Sequence, residues 1–502
     1  MGAEVLPAPL WSQLGTLISE RIGLNFPPER HGDLVRALES AAGDFGHADA
    51  IDCARWLVRA ELSGEDLRKL AAHVTIGETY FFRERPSFNA MATEVLPPLI
   101  HRRRETSKRL RLWSAACSTG EEAYSLAILL QQLIPDWRDW KISILATDIN
   151  PKALHRAESG VYSDWSFRES APDFRARWFE PVGAKQYRVR RELRELVTFA
   201  ELNLAGADFP SLATDTNAID LILCRNLLMY FTPAHARALI ARLHRCLADE
   251  GWLIVSPSEC SQALFTGFAP VNFPGTILYR KRGAGDAAPV PPRPATPIEP
   301  AVALALPDPP EPLPAADVAR ILTESVTPTI ARHDAVAAAL ADAEASHQRG
   351  DYGDAIDRLQ AALAESSDGD PRLLAALAHA LANQGRLAEA LAAGELWCAT
   401  DKLDAAAHHL VAMVLQELGH RTEARAALQR ALYLQPDLAI AHFSMGNLAR
   451  AEARPDEARR HFSNAARLLR GHDAAEIVPA SEGMNVGRLR EITEALLRGA
   501  DT

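Results

Sequence analysis

A proline-rich segment divides the sequence into two parts. It runs from Pro289 to Pro314 and contains eleven prolines and no aromatic residue. Because proline lacks a backbone N–H and fixes φ, this segment can form neither a regular helix nor a sheet ladder. We interpret it as an extended spacer within a linker over residues 283–334, with a proline-motif ligand as the alternative. We expect each half of the chain to fold on its own.

The part after the linker is repetitive. Similar strings begin at intervals of 35, 34 and 34 residues, at Gly350, Gly385, Gly419 and Ala453. Five residues into each string stands an alanine: Ala355, Ala390, Ala424 and Ala458. This period, with a turn glycine and small residues where two helices touch, resembles the tetratricopeptide repeat (TPR). We predict an all-α TPR solenoid of four repeats over 335–472, and a capping helix over Val486–Arg498 within the tail 473–502.

The part before the linker has two kinds of pattern. Residues 1–75 show the apolar spacing of amphipathic helices and predict an N-terminal helical domain. From residue 110 onwards, short β-type runs such as LRLWSAA, ISILATDI and DLILCRN alternate with helical segments. This alternation predicts a doubly wound α/β domain with a mainly parallel sheet over 76–282.

Charge and cysteine content exclude several classes of protein. Residues 1–282 carry 34 lysines and arginines against 34 acidic residues, so the net charge of −11 comes entirely from the second half. A neutral first half and an acidic second half argue against a nucleic-acid-binding protein. The six cysteines form no CxxC pair, which argues against zinc and disulfides and is typical of a reducing cytoplasm. No apolar run is long enough to insert into a membrane, and no signal peptide is predicted.

The first strand–turn–helix unit, LRLWSAACSTGEEAYSLA, contains one glycine. In a doubly wound sheet this turn faces the crevice that holds a nucleotide-like ligand. Ala116 and Ser118 are small enough to line the turn if no pyrophosphate is wrapped there, and Glu121 and Glu122 disfavour a phosphate. A ligand that combines adenosine with an amino acid and a sulfonium cation meets these conditions, which indicates S-adenosylmethionine.

A carboxylate follows at the end of the second strand. Asp148 in ATDIN occupies the position where ribose hydroxyls are bound in such sheets. The competing interpretation is that Asp148 caps the helix that starts in TDINPKAL.

Six strings of the first half stand in a distinctive order: TIGETYFFRE (75–84), LWSAACSTGEEAYSLA (112–127), ATDIN (146–150), SGVYSDW (159–165), RVRRELRELVTFAELNL (188–204) and DLILCRNLLMYF (220–231). By these strings, residues from about 10 to 282 resemble the CheR family of chemotaxis-receptor methyltransferases. The resemblance implies an S-adenosylmethionine-dependent methyltransferase core, with S-adenosylhomocysteine as its product. It also implies that the methyl group goes to glutamate side chains on the cytoplasmic helices of methyl-accepting chemoreceptors.

The resemblance also assigns site residues. The implied cofactor-binding residues are Gly77, Thr79, Arg83, Glu121 or Glu122, Asp148, Asn203, Leu204, Arg225 and Asn226, and the implied catalytic residues are Arg83 and Tyr230. No metal is implied. Gly77 stands where the family usually has asparagine, and SPSE (256–259) stands where the family has GHSE. Arg83 could instead be a surface arginine over aromatic residues, and Tyr230 could belong to the core.

Two further regions bear on the partner protein. Residues 160–200 resemble a small antiparallel β-subdomain that binds a receptor tail in some relatives; its short loop favours a tail-independent enzyme. Basic residues of the N-terminal helices either dock onto acidic receptor helices or form a solvated face: Arg21, Arg30, Arg36, Arg55, Arg59, Arg68 and Lys69.

Two functions are compatible with these features. The first is a cytoplasmic receptor-glutamate methyltransferase with repeats that bind a further protein, similar to CheR–TPR fusions of the Wsp type. The alternative is a scaffold or regulatory protein in which the repeats act and the methyltransferase core has minor activity.

Overall fold

The computed structural model describes residues 6–75, 77–170, 173–206, 209–261, 263–282, 327–366 and 369–499. It consists of a helical N-terminal domain, a sheet domain (77–282) and a repeat domain (327–499). None of the described helices combines the length and apolar character needed to cross a membrane.

Four amphipathic helices form the N-terminal domain. They are α1 (Ala8–Ile22), α2 (His31–Ala42), α3 (Ala50–Leu57) and α4 (Gly64–Val74). Helix α4 begins with a capping box in which Ser63 and Asp66 satisfy each other's backbone N–H groups. Leu14, Ile18 and Leu38 are fully buried and join the same apolar cluster as one face of the central sheet. The N-terminal helices therefore pack against this face of the sheet.

A seven-stranded sheet with the order β6-β2-β1-β7-β8-β10-β9 is the centre of the sheet domain. Its strands are β1 (Arg109–Ala115), β2 (Lys141–Asp148), β6 (Val197–Glu201), β7 (Ile219–Leu223), β8 (Leu247–Ile254), β9 (Phe268–Phe273) and β10 (Thr276–Lys281). The first five in the order are parallel, and β10 and β9 are antiparallel. The doubly wound, mainly parallel sheet predicted from the sequence is confirmed.

Helices connect and cover these strands. They are α5 (Arg85–Ala90), α6 (Leu96–Arg104), α7 (Glu121–Leu133), α8 (Pro151–Ser159), α9 (Phe174–Trp178), α10 (Arg191–Arg194) and α11 (Pro233–Cys246). The connection from β6 to β7 contains no α-helix among its described residues, only a short 3-10 turn at Leu212–Thr214. One face of the sheet at β1, β2 and β6 therefore lacks the helix that would usually cover it.

The predicted β-subdomain is present as a separate antiparallel sheet with the order β3-β5-β4. Its strands are β3 (Val161–Ser163), β4 (Phe179–Gly183) and β5 (Gln186–Val189). Only two residues separate β4 from β5, and one of them, Lys185, has a φ of +57°. The loop is therefore as short as the sequence suggested.

The repeat domain is a series of four helix pairs followed by one more helix. The pairs are α12 (Thr327–Arg349) with α13 (Tyr352–Glu365), α14 (Pro371–Gln384) with α15 (Leu387–Thr400), α16 (Ala405–Leu418) with α17 (Arg421–Leu434), and α18 (Ala439–Ala451) with α19 (Pro455–Leu468); the last helix is α20 (Val486–Gly499). The turns inside the pairs use left-handed residues, with φ of +79° at Gly350, +82° at Gly385, +83° at Gly419 and +55° at Ala453. The predicted all-α solenoid is confirmed, and helix pairs lie at the positions of the four predicted repeats.

The predicted linker, 283–334, lies outside the described residues up to 326. Helix α12 begins at Thr327, so the repeat domain starts earlier than the boundary at 335 placed by the repeat pattern. The repeat pattern was aligned on the turn glycines. These glycines mark where the first helix of each pair ends and not where it begins.

The sheet domain and the repeat domain are in direct contact. Leu212 of the β6–β7 connection is buried in the core formed by α13 to α16. The Tyr352 hydroxyl donates to the Arg245 carbonyl (2.9 Å), and Arg488 of α20 donates to the Glu201 carbonyl at the end of β6 (2.6 Å). The two halves are thus joined by packing as well as by the linker.

Candidate functional site

The turn between β1 and α7 is shaped by three residues in the left-handed region. Ala116 has a φ of +64°, Ser118 of +51° and Gly120 of +89°. Only the third has to be glycine for steric reasons beyond φ, because a Cβ there would lie 2.8 Å from Ala157 Cβ on α8. Ala116 and Ser118 adopt the strained left-handed conformation although each has a Cβ. The turn therefore forms with a single glycine.

A pocket of about 460 Å³ lies beside this turn, at the carboxyl ends of the parallel strands. Ten of the eleven residues singled out from the sequence line it: Gly77, Thr79, Arg83, Glu122, Asp148, Asn203, Leu204, Arg225, Asn226 and Tyr230. Its volume falls within the roughly 300–1,000 Å³ of typical small-molecule sites. Residues from five separate sequence strings therefore meet at one site.

The two neighbouring glutamates of the turn have different surroundings. Glu122 lines the pocket and accepts hydrogen bonds from Ser114 Oγ (2.7 Å) and Arg225 Nη1 (2.9 Å). Glu121 is buried away from the pocket, where it accepts from Ser166 Oγ (2.8 Å) and Thr119 Oγ1 (2.6 Å). Of the pair left open by the sequence, only Glu122 is placed to meet a ligand.

Asp148 lies at the end of β2, facing the turn. Its Oδ2 accepts from the Ser118 backbone N–H (2.8 Å) and its Oδ1 from the Asn150 backbone N–H (2.9 Å). Helix α8 is capped by Asn150, whose side chain accepts from Lys152 N and Ala153 N. The capping role considered for Asp148 therefore belongs to Asn150. A carboxylate has about four acceptor sites, so Asp148 keeps acceptor capacity for a ligand hydroxyl beside its backbone donors.

Burial raises the pKa of two pocket carboxyl groups. Desolvation raises the pKa of Asp148, opposed by backbone N–H donors that include Asn150 and Ser118. Desolvation also raises the pKa of Glu122, opposed by Arg225 and by the bond from Ser114. The pocket wall is thus rich in desolvated acceptors, which suits a ligand with hydroxyl groups and positive charge better than one with phosphates.

Arg225 is turned towards protein carboxylates and not towards the open pocket. Its side chain is 2% exposed, and its Nη2 lies 2.9 Å from Glu84 Oε2 while Nη1 lies 2.9 Å from Glu122 Oε2. Nη2 also donates to the Arg83 carbonyl at 2.5 Å. Arg225 therefore fixes Glu122 and the Arg83 backbone in place, a positioning role that differs from the direct cofactor contact implied by the resemblance.

Asn226 and its supports explain the SPSE string. Asn226 has a φ of +56°, and its backbone N–H donates to Glu259 Oε2 (2.8 Å). Glu259 is buried and also accepts from the Ser256 N–H (3.1 Å), closing a capping box. The departure from GHSE leaves this glutamate in place, so the string still holds the pocket residue Asn226.

The two implied catalytic residues line the same pocket. The guanidinium of Arg30, from the N-terminal domain, stacks 4.9 Å from the centre of the Tyr230 ring and 4.6 Å from that of Phe26. Arg83 donates through Nη1 to the Glu78 carbonyl (2.5 Å) and is half-buried. Tyr230 is therefore a pocket residue with one face covered by a cation, and not simply part of the core.

Asn203 and Leu204 lie where β6 leads into the pocket. The Asn203 amide donates to the Arg21 carbonyl at the end of α1 (2.7 Å), and its oxygen accepts from Ala205 N (3.0 Å). Leu204 is buried. Gly77 approaches the turn so closely that a Cβ would lie 2.9 Å from Ser118 Oγ, which is why a larger residue does not fit without a shift of that serine.

Among the residues not identified from the sequence as site residues are Arg30 and Glu84, which line the pocket, and Glu259, which holds Asn226 in place. Glu84 closes the TIGETYFFRE string and Glu259 closes SPSE, so both belonged to strings that had been noticed. Arg30 was noted only as one of several basic residues, because its stacking on Tyr230 joins positions 200 apart in the chain. No cluster of metal-ligating side chains occurs among the described residues.

Known proteins resemble both parts of the chain. Residues 77–272 match the family described as CheR methyltransferase, SAM binding domain, and residues 346–414 and 405–438 match tetratricopeptide repeats. A probable chemotaxis protein methyltransferase of Rhizobium etli is 35% identical over 206 residues, which cover 40% of this chain and 75% of that protein. The chemotaxis protein methyltransferase 2 of Vibrio cholerae is 30% identical over 229 residues, 45% of this chain and 77% of that protein.

A third relative extends over both halves. The probable biofilm formation methyltransferase WspC of Pseudomonas putida is 29% identical over 460 residues, which cover 90% of this chain and 97% of that protein. The order of sheet domain and repeats is therefore shared along nearly the whole length. The chain belongs to the CheR methyltransferase family and carries C-terminal tetratricopeptide repeats.

Proposed function

We propose that this protein transfers a methyl group from S-adenosylmethionine to glutamate side chains on the cytoplasmic helices of methyl-accepting chemoreceptors. The products are glutamyl methyl esters and S-adenosylhomocysteine, and the reaction takes place in the cytoplasm, where those helices lie. The observation that carries the proposal is the convergence of ten residues singled out from the sequence on one pocket of about 460 Å³. The chemotaxis-related names of its relatives support the choice of receptor.

The pocket fits the cofactor by the chemistry of its donors and acceptors. Asp148 keeps acceptor sites for ribose hydroxyls, Glu122 supplies a carboxylate for the cationic amino-acid portion, and Leu204 with Asn203 borders the adenine. When bound, S-adenosylmethionine supplies a methyl group on a sulfonium, which a carboxylate oxygen can accept without prior loss of a proton. A glutamate is already ionised at neutral pH, so no general base is required.

The chain's own residues then have to orient the incoming carboxylate and exclude water. Arg83 and Tyr230 line the pocket and offer a cation and a phenol hydroxyl for this task. Arg225 contacts both the Arg83 carbonyl and Glu122, so it holds the backbone of Arg83 in place. Gly77 and Thr79 complete the wall beside the first turn.

The partner surfaces follow from the same fold. The two-residue connection between β4 and β5 favours an enzyme that acts without binding a receptor tail. Of the basic residues in the N-terminal helices, Arg36 is 72% exposed beside Asp33, while Arg30 lies against Tyr230 inside the pocket wall. Arg36 is therefore the better candidate for contact with acidic receptor helices. The repeats bind a further protein.

The test is methyl transfer to a purified receptor cytoplasmic domain from labelled S-adenosylmethionine. We expect label on the receptor that is released as methanol by mild base, since carboxyl methyl esters are base-labile. A receptor variant with its acceptor glutamates changed to alanine is the control. If the full chain binds the cofactor and the receptor but transfers no methyl group, the alternative of a scaffold with a minor methyltransferase core is favoured.

A further inference from the structure

A second and larger cavity lies between the two domains. This cleft has a volume of about 1550 Å³ and is lined by β1, β2, β6 and α8 of the sheet domain and by α16, α18, α19 and α20 of the repeat domain. It occupies the sheet face that has no covering helix. Its volume exceeds the roughly 300–1,000 Å³ typical of small-molecule pockets, so it is large enough for a polypeptide segment.

The lining of the cleft has an excess of positive charge. Eight of its residues are lysine or arginine and five are aspartate or glutamate. Four of the five carboxylates already face a cleft arginine: Glu417 pairs with Arg109 and Arg111, Asp215 lies 3.6 Å from Arg111, Glu201 lies 3.9 Å from Arg68, and Glu491 lies 3.5 Å from Arg488. Two other arginines of the lining, Arg421 and Arg450, form no ion pair with a carboxylate of the described residues.

Two arginines on the repeat side carry most of this excess. The Arg450 guanidinium makes no hydrogen bond or ion pair with any described residue, and nearby protein lowers its pKa by desolvation alone. Arg421 reaches only the Ala451 carbonyl, at 3.5 Å. Both side chains are exposed to the cleft. Guanidinium groups in this state bind carboxylates by charge-assisted, often bidentate hydrogen bonds.

Neutral groups beside these arginines favour a polypeptide over a small anion. The Asn447 side chain lies in the cleft wall, half-buried, and forms no hydrogen bond with the described residues. An amide can both donate to and accept from a peptide backbone. Ile492 and Leu496 of α20 provide a partly exposed apolar surface in the same cleft. Cationic side chains, a free amide and partly exposed apolar side chains together match an acidic segment with apolar residues.

We propose that the cleft binds an acidic, amphipathic polypeptide segment of a partner protein. This rests on the proposed role of the repeats in protein binding and specifies the site and the chemistry of the ligand. Arg421 and Arg450 bind its carboxylates, Asn447 binds its backbone, and Ile492 and Leu496 contact its apolar side chains. Leu202 lines both the cleft and the catalytic pocket, so the bound segment lies next to the strand end that carries Asn203.

The test uses the full chain and a fluorescein-labelled peptide of glutamate and leucine, about ten residues long, followed by fluorescence anisotropy. We expect binding that weakens with rising ionic strength, and a loss of about tenfold or more in the Arg421→Glu, Arg450→Glu double variant. The matched control is Arg430→Glu, an exposed arginine of α17 outside the cleft, which should leave the affinity unchanged. An Arg421→Lys, Arg450→Lys variant should retain most of the binding.

Several outcomes would overturn the proposal. They are absence of binding to the wild-type chain, equal binding of the analogue with lysine in place of glutamate, and equal loss of affinity in the Arg430 control. Displacement of the peptide by tripolyphosphate at matched charge would show a site for small polyanions instead. Because no methyl transfer is measured, failure of the receptor assay leaves this experiment interpretable, and failure here leaves the receptor assay interpretable.

Discussion

Arg111 of strand β1 and Glu417 of helix α16 form a buried ion pair, with Arg111 Nη1 2.7 Å from Glu417 Oε2. The two side chains are 5% and 12% exposed, and Arg109 contacts the same carboxylate. Although burial alone would raise it, Arg111 and Arg109 hold the pKa of Glu417 well below its usual value. A strand of the catalytic half is thus fixed to the third repeat by charge.

Changing Glu417 to glutamine should destabilise the whole chain. Loss of one partner from a buried ion pair costs about 3–5 kcal/mol, because the remaining charges are left uncompensated. Urea unfolding of the full chain measures this. Glu423→Gln is the control, since that glutamate is 61% exposed in the following helix and should change stability little. Equal stability of the two variants would contradict the role given to the pair.

Asp148→Ala should weaken S-adenosylmethionine binding about tenfold or more, because hydrogen bonds to a charged acceptor contribute about 1.5–3 kcal/mol. Titration calorimetry measures the affinity, and Asp148→Asn should fall between the alanine variant and wild type. Asp164→Ala, a 48% exposed aspartate outside the pocket, is the control. Unchanged affinity in a folded Asp148→Ala protein would rule out its contact with the ribose.

The neighbouring glutamates Glu121 and Glu122 should give opposite results when each is changed to glutamine. Glu122→Gln should weaken cofactor binding and lower turnover, since Glu122 lines the pocket and holds Arg225. Glu121→Gln should mainly lower the melting temperature, because it disturbs the buried bond to Ser166. Calorimetry and thermal melting of both variants separate the two effects. The reverse pattern would show that the assignment is inverted.

The sequence alone did not predict which of these two glutamates faces the pocket. The strands, the turn and the repeats could be predicted, because each depends on residues close together in the chain. Whether Glu121 or Glu122 faces the pocket depends on Arg225 and Ser166, which belong to other elements. The pairing of Arg111 with Glu417 joins positions about 300 apart, and no local pattern marks it.

Ala453→Gly should stabilise the repeat domain. Ala453 has a φ of +55°, whereas the equivalent turns use glycine, and a left-handed conformation costs a residue with a Cβ about 1 kcal/mol. Ala426→Gly, at an exposed position inside α17, should instead destabilise by about 0.5–1 kcal/mol. Thermal unfolding of the two variants should therefore shift in opposite directions; shifts of the same sign would contradict the explanation.

Acid should destabilise the repeat domain through His409. Burial lowers the pKa of His409 to about 4, and its Nε2 lies 3.0 Å from Ser444 Oγ. The unfolded chain binds this proton near pH 6.5, so stability is full above that value and is lost as pH falls towards 4, by about 3 kcal/mol. His409→Gln should flatten the pH dependence of unfolding in this range. His420→Gln, at an exposed histidine, should leave the slope unchanged.

The described residues between β6 and β7 form no α-helix, and this limits how the domains of such chains can be exchanged. The repeats lie over the face of the sheet at β1, β2 and β6. They take the place of the helix that would cover this face in an enzyme without repeats. A chimera that exchanges the repeats must therefore reproduce the positions of Glu417 and Arg488, and not merely the number of repeats. The two domains with the contacts between them are therefore the part that a chimera has to transfer as one unit.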